Sequence, residues 1–228
     1  MAAFRQLVEL AYPAEFSFEH LNSIKTFKGR MAYVQQTLGK HLGRGSSRVV
    51  FPVDNEKVLK VAMNHKGILQ NERESLNYVS PLTAETFEVS PDHLWIEMER
   101  VVPFTKSRFK QATGFSQEDL WNLLAHEAKR ADPRMRLFSP RVPVVFQVKY
   151  PGFDPRADDH PGWSEAWDNE FLYDLFSFLA NAGLWGVWQD YAQAKHYGLN
   201  ARGEIRLIDF GVDDEVMNVY VQGRRGAR

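Results

Sequence analysis

Cysteine is absent from this chain of 228 residues. That excludes disulfide staples, thiolate zinc sites and cysteine nucleophiles, and it suits a reducing compartment. A surplus of charge is missing too: 28 basic residues face 29 acidic ones. So even a balance gives no global field to draw a nucleic acid or an anionic membrane, and neither partner is expected. Nor does any stretch approach the roughly 18–20 apolar residues of a membrane span. The opening residues, Met1-Ala2-Ala3-Phe4-Arg5-Gln6, lack the basic segment and long apolar run of a secretory signal. These absences point to a soluble cytoplasmic protein. What is present is 44% hydrophobic residues and six tryptophans, enough for a packed core built around large rings.

The spacing of apolar residues divides the chain into elements. Ile24, Phe27, Met31, Val34 and Leu38 recur at three- and four-residue steps, which predicts an amphipathic helix ending near Gly39. Strands follow over 42–53 and 58–63, joined by Asp54-Asn55, residues suited to a turn. Helical spacing returns over 66–79, with Leu69, Glu72, Leu76 and Val79 on the inward face, and Ser80-Pro81 ends it. A strand pair over 87–89 and 93–101 turns at Ser90-Pro91-Asp92. Helix, hairpin, helix, hairpin is the order of a small antiparallel sheet with one helix packed on it. Val102-Pro103 reads as a linker, dividing the chain into units of 1–102 and 103–228.

In the second unit a helix opens at Ser116-Gln117-Glu118-Asp119 and runs to Arg130. A proline-rich irregular insertion fills 131–165, with one strand at 144–148. A strongly apolar helix covers 167–182, stopped by Gly183. A last hairpin joins 197–199 to 205–208. The fold class is therefore α+β.

Four places carry chemistry. Gly43 and Gly45 sit in a hairpin turn, where backbone N–H groups can approach phosphate oxygens unhindered, with Ser46 and Ser47 adding hydroxyls. An ordinary tight turn uses the same residues. Lys60 lies in the apolar strand Val58-Leu59-Lys60-Val61-Ala62, and if buried it needs an anion. Glu72 supplies one from the following helix, with Glu74 as the alternative; a solvated helix charge is the bland reading. Near the end, Leu207-Ile208-Asp209-Phe210-Gly211 delivers a carboxylate into a turn, as a strand presents an oxygen ligand to magnesium. Asp190 stands nineteen positions earlier, placed to accept a hydroxyl proton, with His196 and Asn200 between the two.

Taken in order, these segments resemble the protein-kinase-like fold. Gly43-Arg44-Gly45-Ser46-Ser47-Arg48-Val49-Val50-Phe51 is similar to its glycine-rich loop, Lys60 to its strand lysine and Glu72 to that lysine's helix partner. Trp95-Ile96-Glu97-Met98-Glu99-Arg100-Val101 resembles the hinge strand, with Met98 as gatekeeper and Glu99 and Val101 lining the adenine. Asp209-Phe210-Gly211 matches the magnesium motif, and Asp190 falls where the catalytic loop is approached. The resemblance covers 39–102 and 166–213 and is closest in character to compact kinase-like proteins of bacteria and their phages. It implies a two-lobed architecture, ATP and magnesium as cofactors, and a phosphotransferase with Lys60, Glu72 and Asp190 as catalytic residues.

Two departures qualify that implication. Trp188 and Gln189 replace the histidine and arginine that usually precede the catalytic aspartate, and the family's metal-binding asparagine falls on His196. His196 is therefore the second expected metal ligand. Only seventeen residues follow Gly211, so no counterpart of the family's activation segment and peptide platform is expected. Region 104–165 is expected to supply another acceptor site or to bind a protein partner. A pseudokinase, acting as a nucleotide-binding or protein-binding module, is the alternative.

Overall fold

The computed structural model describes residues 12–76, 82–131, 168–213 and 216–217. The expected insertion beyond Ala131, with its strand at 144–148, lies outside the described residues.

Two short helices open the described chain. In α1 (Phe18–Ser23) the Ser17 hydroxyl accepts the His20 N–H. In α2 (Phe27–Leu38) the Thr26 hydroxyl accepts the Gly29 N–H, and Gly39 ends the helix at φ 78°. Thr26 and Gly39 are the start and stop that helix propensity asks for. The helix therefore begins three residues later than apolar spacing alone predicts.

A five-stranded sheet follows. Its strands are β1 (Gly43–Arg44), β2 (Arg48–Pro52), β3 (Lys57–Ala62), β4 (Thr86–Val89) and β5 (Trp95–Glu99), in the antiparallel order β1-β2-β3-β5-β4. Helix α3 (His65–Leu76) crosses between β3 and β4. Strand alternation sorts the side chains. Val49, Phe51, Leu59 and Val61 pack with Leu21 and Val34 of α1 and α2. Val58, Ile96 and Met98 face the opposite way, into a core shared with the second half of the chain. Lys60 has the parity of Val58, so it too points to that side.

The second half is mainly helical. It contains α4 (Lys106–Thr113), α5 (Gln117–Ala131), α6 (Glu170–Asn181) and the single turn α7 (Trp188–Tyr191). Helix α4, capped by Thr105 and stopped by Gly114 at φ 82°, is mostly polar, and its weak periodicity hides it in the sequence. At the head of α5 the Asp119 carboxylate accepts the Ser116 N–H while the Ser116 hydroxyl accepts the Asp119 N–H, a reciprocal cap. Asn169 caps α6 by a single bond, its side-chain oxygen accepting the Leu172 N–H at 3.1 Å. A second sheet of β6 (Val102–Pro103), β7 (Tyr197–Leu199) and β8 (Ile205–Leu207) completes the architecture. Val102-Pro103, expected as a linker, is thus an edge strand on β7. The two sheets are sewn together: Ala84 N–H donates to the Leu207 carbonyl at 2.9 Å, and Leu207 N–H to the Leu82 carbonyl at 2.7 Å.

The α+β expectation holds: an antiparallel sheet with one packed helix, then a mainly helical part. No helix among the described residues is long and apolar enough to cross a membrane.

Helix α3 lies close to both of its neighbours. A Cβ on Gly211 would fall well inside contact distance of the Gln70 backbone carbonyl, whereas a Cβ on Gly43 meets nothing within 4 Å. Gly211→Ala is therefore expected to destabilise by about 2–3 kcal/mol, and Gly43→Ala to stay within about 1 kcal/mol. Thermal or urea melts of the two variants check the contrast.

Candidate active site

A cleft of about 450 Å³ opens between the two sheets. That volume lies within the range of small-molecule sites. Gly43, Gly45, Ser46, Ser47, Lys60, Glu99, Val101, His196 and Asp209 all line it. One end is apolar, walled by Val50, Val58, Ala84 and Met98; the other is charged.

The charged end is organised by helix α3. Its buried stripe is Gly67, Gln70, Asn71 and Glu74, a three-and-four spacing on one face. Lys60 Nζ lies 2.8 Å from Glu74 Oε2 and donates to the Ile208 carbonyl at 2.6 Å. The lysine's carboxylate partner is therefore Glu74, not the expected Glu72. Glu72 is half-buried, its carbonyl accepts the Ser75 hydroxyl, and it does not line the cleft. Leu76, expected to face inward, is 65% exposed. The inward face is polar because it meets charges on the sheet, and apolar spacing selected the wrong side.

Sequence reasoning also missed Arg48. Its guanidinium reaches Glu74 at 2.8 Å and Asp209 Oδ1 at 2.8 Å, and it bonds Asn71 Oδ1 at 3.3 Å. Its position beside the glycine turn, at the start of a strand, was the available signal. Ser47, expected to face phosphate, instead donates its hydroxyl to Gln70. Ser46 is exposed, and its hydroxyl accepts from Lys66 Nζ at 3.2 Å.

These contacts set the ionisation of the cleft. Burial pulls the Lys60 pKa below its ordinary value; Glu74 counters this and Arg48 adds to it. Burial raises Asp209, but Arg48, His196 and Lys60 outweigh it, so the carboxyl lies below the usual range. Asp209 thus stays ionised with its side chain still 40% exposed to the cleft.

Asp190 sits beside the cleft rather than among its lining residues. Its backbone carbonyl meets His196 Nδ1 at 2.6 Å. Burial raises its carboxyl above the ordinary value; His196 works against that and Asp209 with it. The segment is held firmly: the Tyr191 hydroxyl donates to the Phe210 and Val212 carbonyls, and the Tyr197 hydroxyl to the Tyr191 carbonyl. Asn200 is structural: it caps the β7–β8 turn and donates to Glu99 and Glu204.

At the apolar end, the N–H groups of Glu99 and Arg100 are engaged by the Glu85 and Glu56 carbonyls. The Glu99 side chain turns away from the cleft to Asn200 and Arg206. What Glu99 and Val101 offer a planar base is backbone.

The strand order, the Lys60–Glu74 pair and the Asp209 turn facing it are arranged as the sequence resemblance to the protein-kinase-like fold implies. No family model matches the chain, and no curated protein matches it. Among solved structures it is similar to APH(2″)-IIa in its streptomycin–ATP ternary complex, with 12% identity over 82% of this chain and 71% of that one, at a TM-score of 0.33.

Because Glu74 answers two buried cations, Glu74→Gln is expected to destabilise by about 3 kcal/mol or more. Glu72→Gln is expected to change stability by no more than about 0.5 kcal/mol. Equal effects in denaturant titrations would refute this assignment of the lysine's partner.

Proposed function

We propose that the cleft binds a nucleoside triphosphate, ATP in the first instance, and that the protein transfers its terminal phosphoryl group to a hydroxyl acceptor. The observation that carries this reading is the buried Lys60 ammonium, fixed between Glu74 and the Ile208 carbonyl within the same cleft as the ionised Asp209. The apolar end suits a planar base, with backbone groups at Glu99 and Val101 for its edge. The turn at Gly43 and Gly45 leaves room for phosphate oxygens, since a Cβ at Gly43 meets nothing and one at Gly45 only the Arg48 carbonyl oxygen at 3.7 Å. Lys60 and Arg48 supply positive charge where phosphates would lie.

Catalysis on this reading is positioning and charge neutralisation. Asp190 orients the acceptor hydroxyl and takes its proton, and a carboxyl raised by burial is a better base than an exposed one. The donor set suits a divalent cation: Asp209 offers one oxygen beyond the one paired with Arg48, and His196 offers a ring nitrogen. Among the described residues no cluster of three or more His, Cys, Asp or Glu side chains could hold an ion unaided, so nucleotide oxygens would complete the shell, as is usual for magnesium. When bound, the ion neutralises phosphate charge. His196 and Asp209 are its ligands on this proposal.

Two observations favour a second reading, a pseudokinase that binds nucleotide or a protein partner without transfer. Arg48 already pairs with Asp209 at 2.8 Å, and Asp190 lies outside the cleft lining.

Thermal-shift titration with ATP tests binding. Saturation at a hundred times Kd is expected to stabilise the wild type by about 2.7 kcal/mol, and Lys60→Met is expected to remove most of that. Transfer of labelled γ-phosphate then separates the readings: transfer lost in Asp190→Ala supports catalysis, and nucleotide binding without transfer in the wild type supports the second. Where transfer occurs, its rate is expected to fall on the acid side as Asp190 protonates. The midpoint should lie above the ordinary carboxyl value of 3.8, because burial raises this group. A midpoint at or below that value removes Asp190 as the base.

A further inference from the structure

We propose that His196 and Asp209 form a mixed nitrogen–oxygen half-site that selects a first-row transition cation over magnesium, filled only together with the phosphates of a bound nucleotide. The inference deepens the nucleotide reading and rests on it.

The argument starts from the imidazole. His196 Nδ1 lies 2.6 Å from the Asp190 backbone carbonyl. A carbonyl oxygen only accepts, so Nδ1 carries the proton, and in the neutral ring Nε2 keeps its lone pair. A backbone carbonyl accepting from the other ring nitrogen is how proteins fix the tautomer of a metal-binding histidine. The ring is held at its backbone as well, since the His196 carbonyl accepts the Ile208 N–H at 2.8 Å. Nε2 faces Asp209 Oδ2 at 3.8 Å. That is too long for a hydrogen bond. It is less than two metal–ligand bonds of about 2.1 Å laid end to end, so one ion can touch both atoms.

The rest of the cleft leaves those two atoms for that task. Asp209 Oδ1 is engaged by Arg48, and Lys60 by Glu74 and the Ile208 carbonyl. Imidazole nitrogen favours the transition series, whereas magnesium prefers oxygen alone. The charges around the pair explain the need for nucleotide. Arg48, Lys60 and Lys195 line the cleft against Asp209, with Glu74 buried behind them and Asp190 to one side. An ion arriving alone finds two protein ligands among cations and carboxylates that already balance one another; one arriving with a triphosphate brings the remaining oxygens with it.

The test uses the full chain, a non-hydrolysable ATP analogue, and Mn2+ and Mg2+ in turn. Mn2+ is the weakest binder of its series and so the stringent probe. Calorimetry gives the Kd of the analogue with each ion. The wild-type preference for Mn2+ is expected to shrink by about tenfold or more in His196→Asn, which exchanges ring nitrogen for an amide oxygen. Pulsed electron paramagnetic resonance on protein labelled with 15N only in histidine is expected to show 15N coupling to the Mn2+–analogue complex, lost in the variant. A preference unchanged by the exchange, or no histidine coupling in the wild type, overturns the half-site while the nucleotide reading stands. Should the variant not fold, the wild-type coupling decides alone. An analogue that does not bind with either ion or without one overturns both.

Discussion

The Glu74 carboxylate has no exposed surface and lies between two cations, Lys60 of β3 and Arg48 of β2. An unpaired carboxylate there would cost several kcal/mol, so the placement of α3 and the register of β2 against β3 are tied to one another. Arg48 extends the constraint beyond the sheet, because the same guanidinium holds Asp209. Lys60 repeats the link through the Ile208 carbonyl. Two cations from the first sheet thus fix the turn that leaves the second. Helix α3 reinforces this from above: Arg73 pairs with Asp213 at 2.7 Å, and the Gln70 backbone passes so close to residue 211 that only glycine fits there.

A separate network sets the other end of the cleft. Glu99, at the end of β5, accepts from Asn200 at 2.7 Å and from Arg206 at 3.2 Å, both in the β7–β8 hairpin. Arg206 is nearly buried and Glu204 binds it in turn. The two halves are therefore tied at the hinge by one set of charges and at the phosphate end by another. The wall between them is apolar. Widening the cleft means parting charge pairs that are mostly shielded from water, which resists opening more strongly than surface pairs do. This geometry suits the ligand proposed above, flat and apolar at one end and anionic at the other.

The sequence disclosed parts of this arrangement unequally, for physical reasons. Strand parity alone separates Lys57 from Lys60, and the structure sends the first to Glu97 and the second to Glu74. Asp209 was visible as a candidate because an apolar run delivers it into a glycine turn, and the structure places it in the cleft lining. The glycine turn was legible as a turn, but Ser47 was not legible as a strut to α3. Helix α3 misled most. Periodicity assumes that the inward face is the apolar one, and here that face carries Gln70, Asn71 and Glu74 because it packs on charge. Helix α4 was missed because most of its residues are polar, and β6 because a two-residue strand beginning at Val102-Pro103 carries no periodicity. In each case the information lay in tertiary partners.

Arg48 decides how the two functional readings relate. Two unit charges 4 Å apart interact by roughly 4 kcal/mol at an effective dielectric of 20, so its hold on Asp209 is not trivial. A triphosphate brings several negative charges into the same space and competes for the guanidinium. If Arg48 follows the phosphates, Asp209 is freed as they arrive, and the ion pair acts as a placeholder that keeps the carboxylate ionised and aimed while the cleft awaits its ligand. If Arg48 stays, it remains the counter-charge of Asp209 and the cleft becomes a binding site with little need of an ion. The burial of Arg48 favours neither outcome alone, since Glu74 anchors it in both. The exposure of Asp209 distinguishes them in kind. A carboxylate 40% open to the cleft is not sealed by its arginine, and its second oxygen still faces His196.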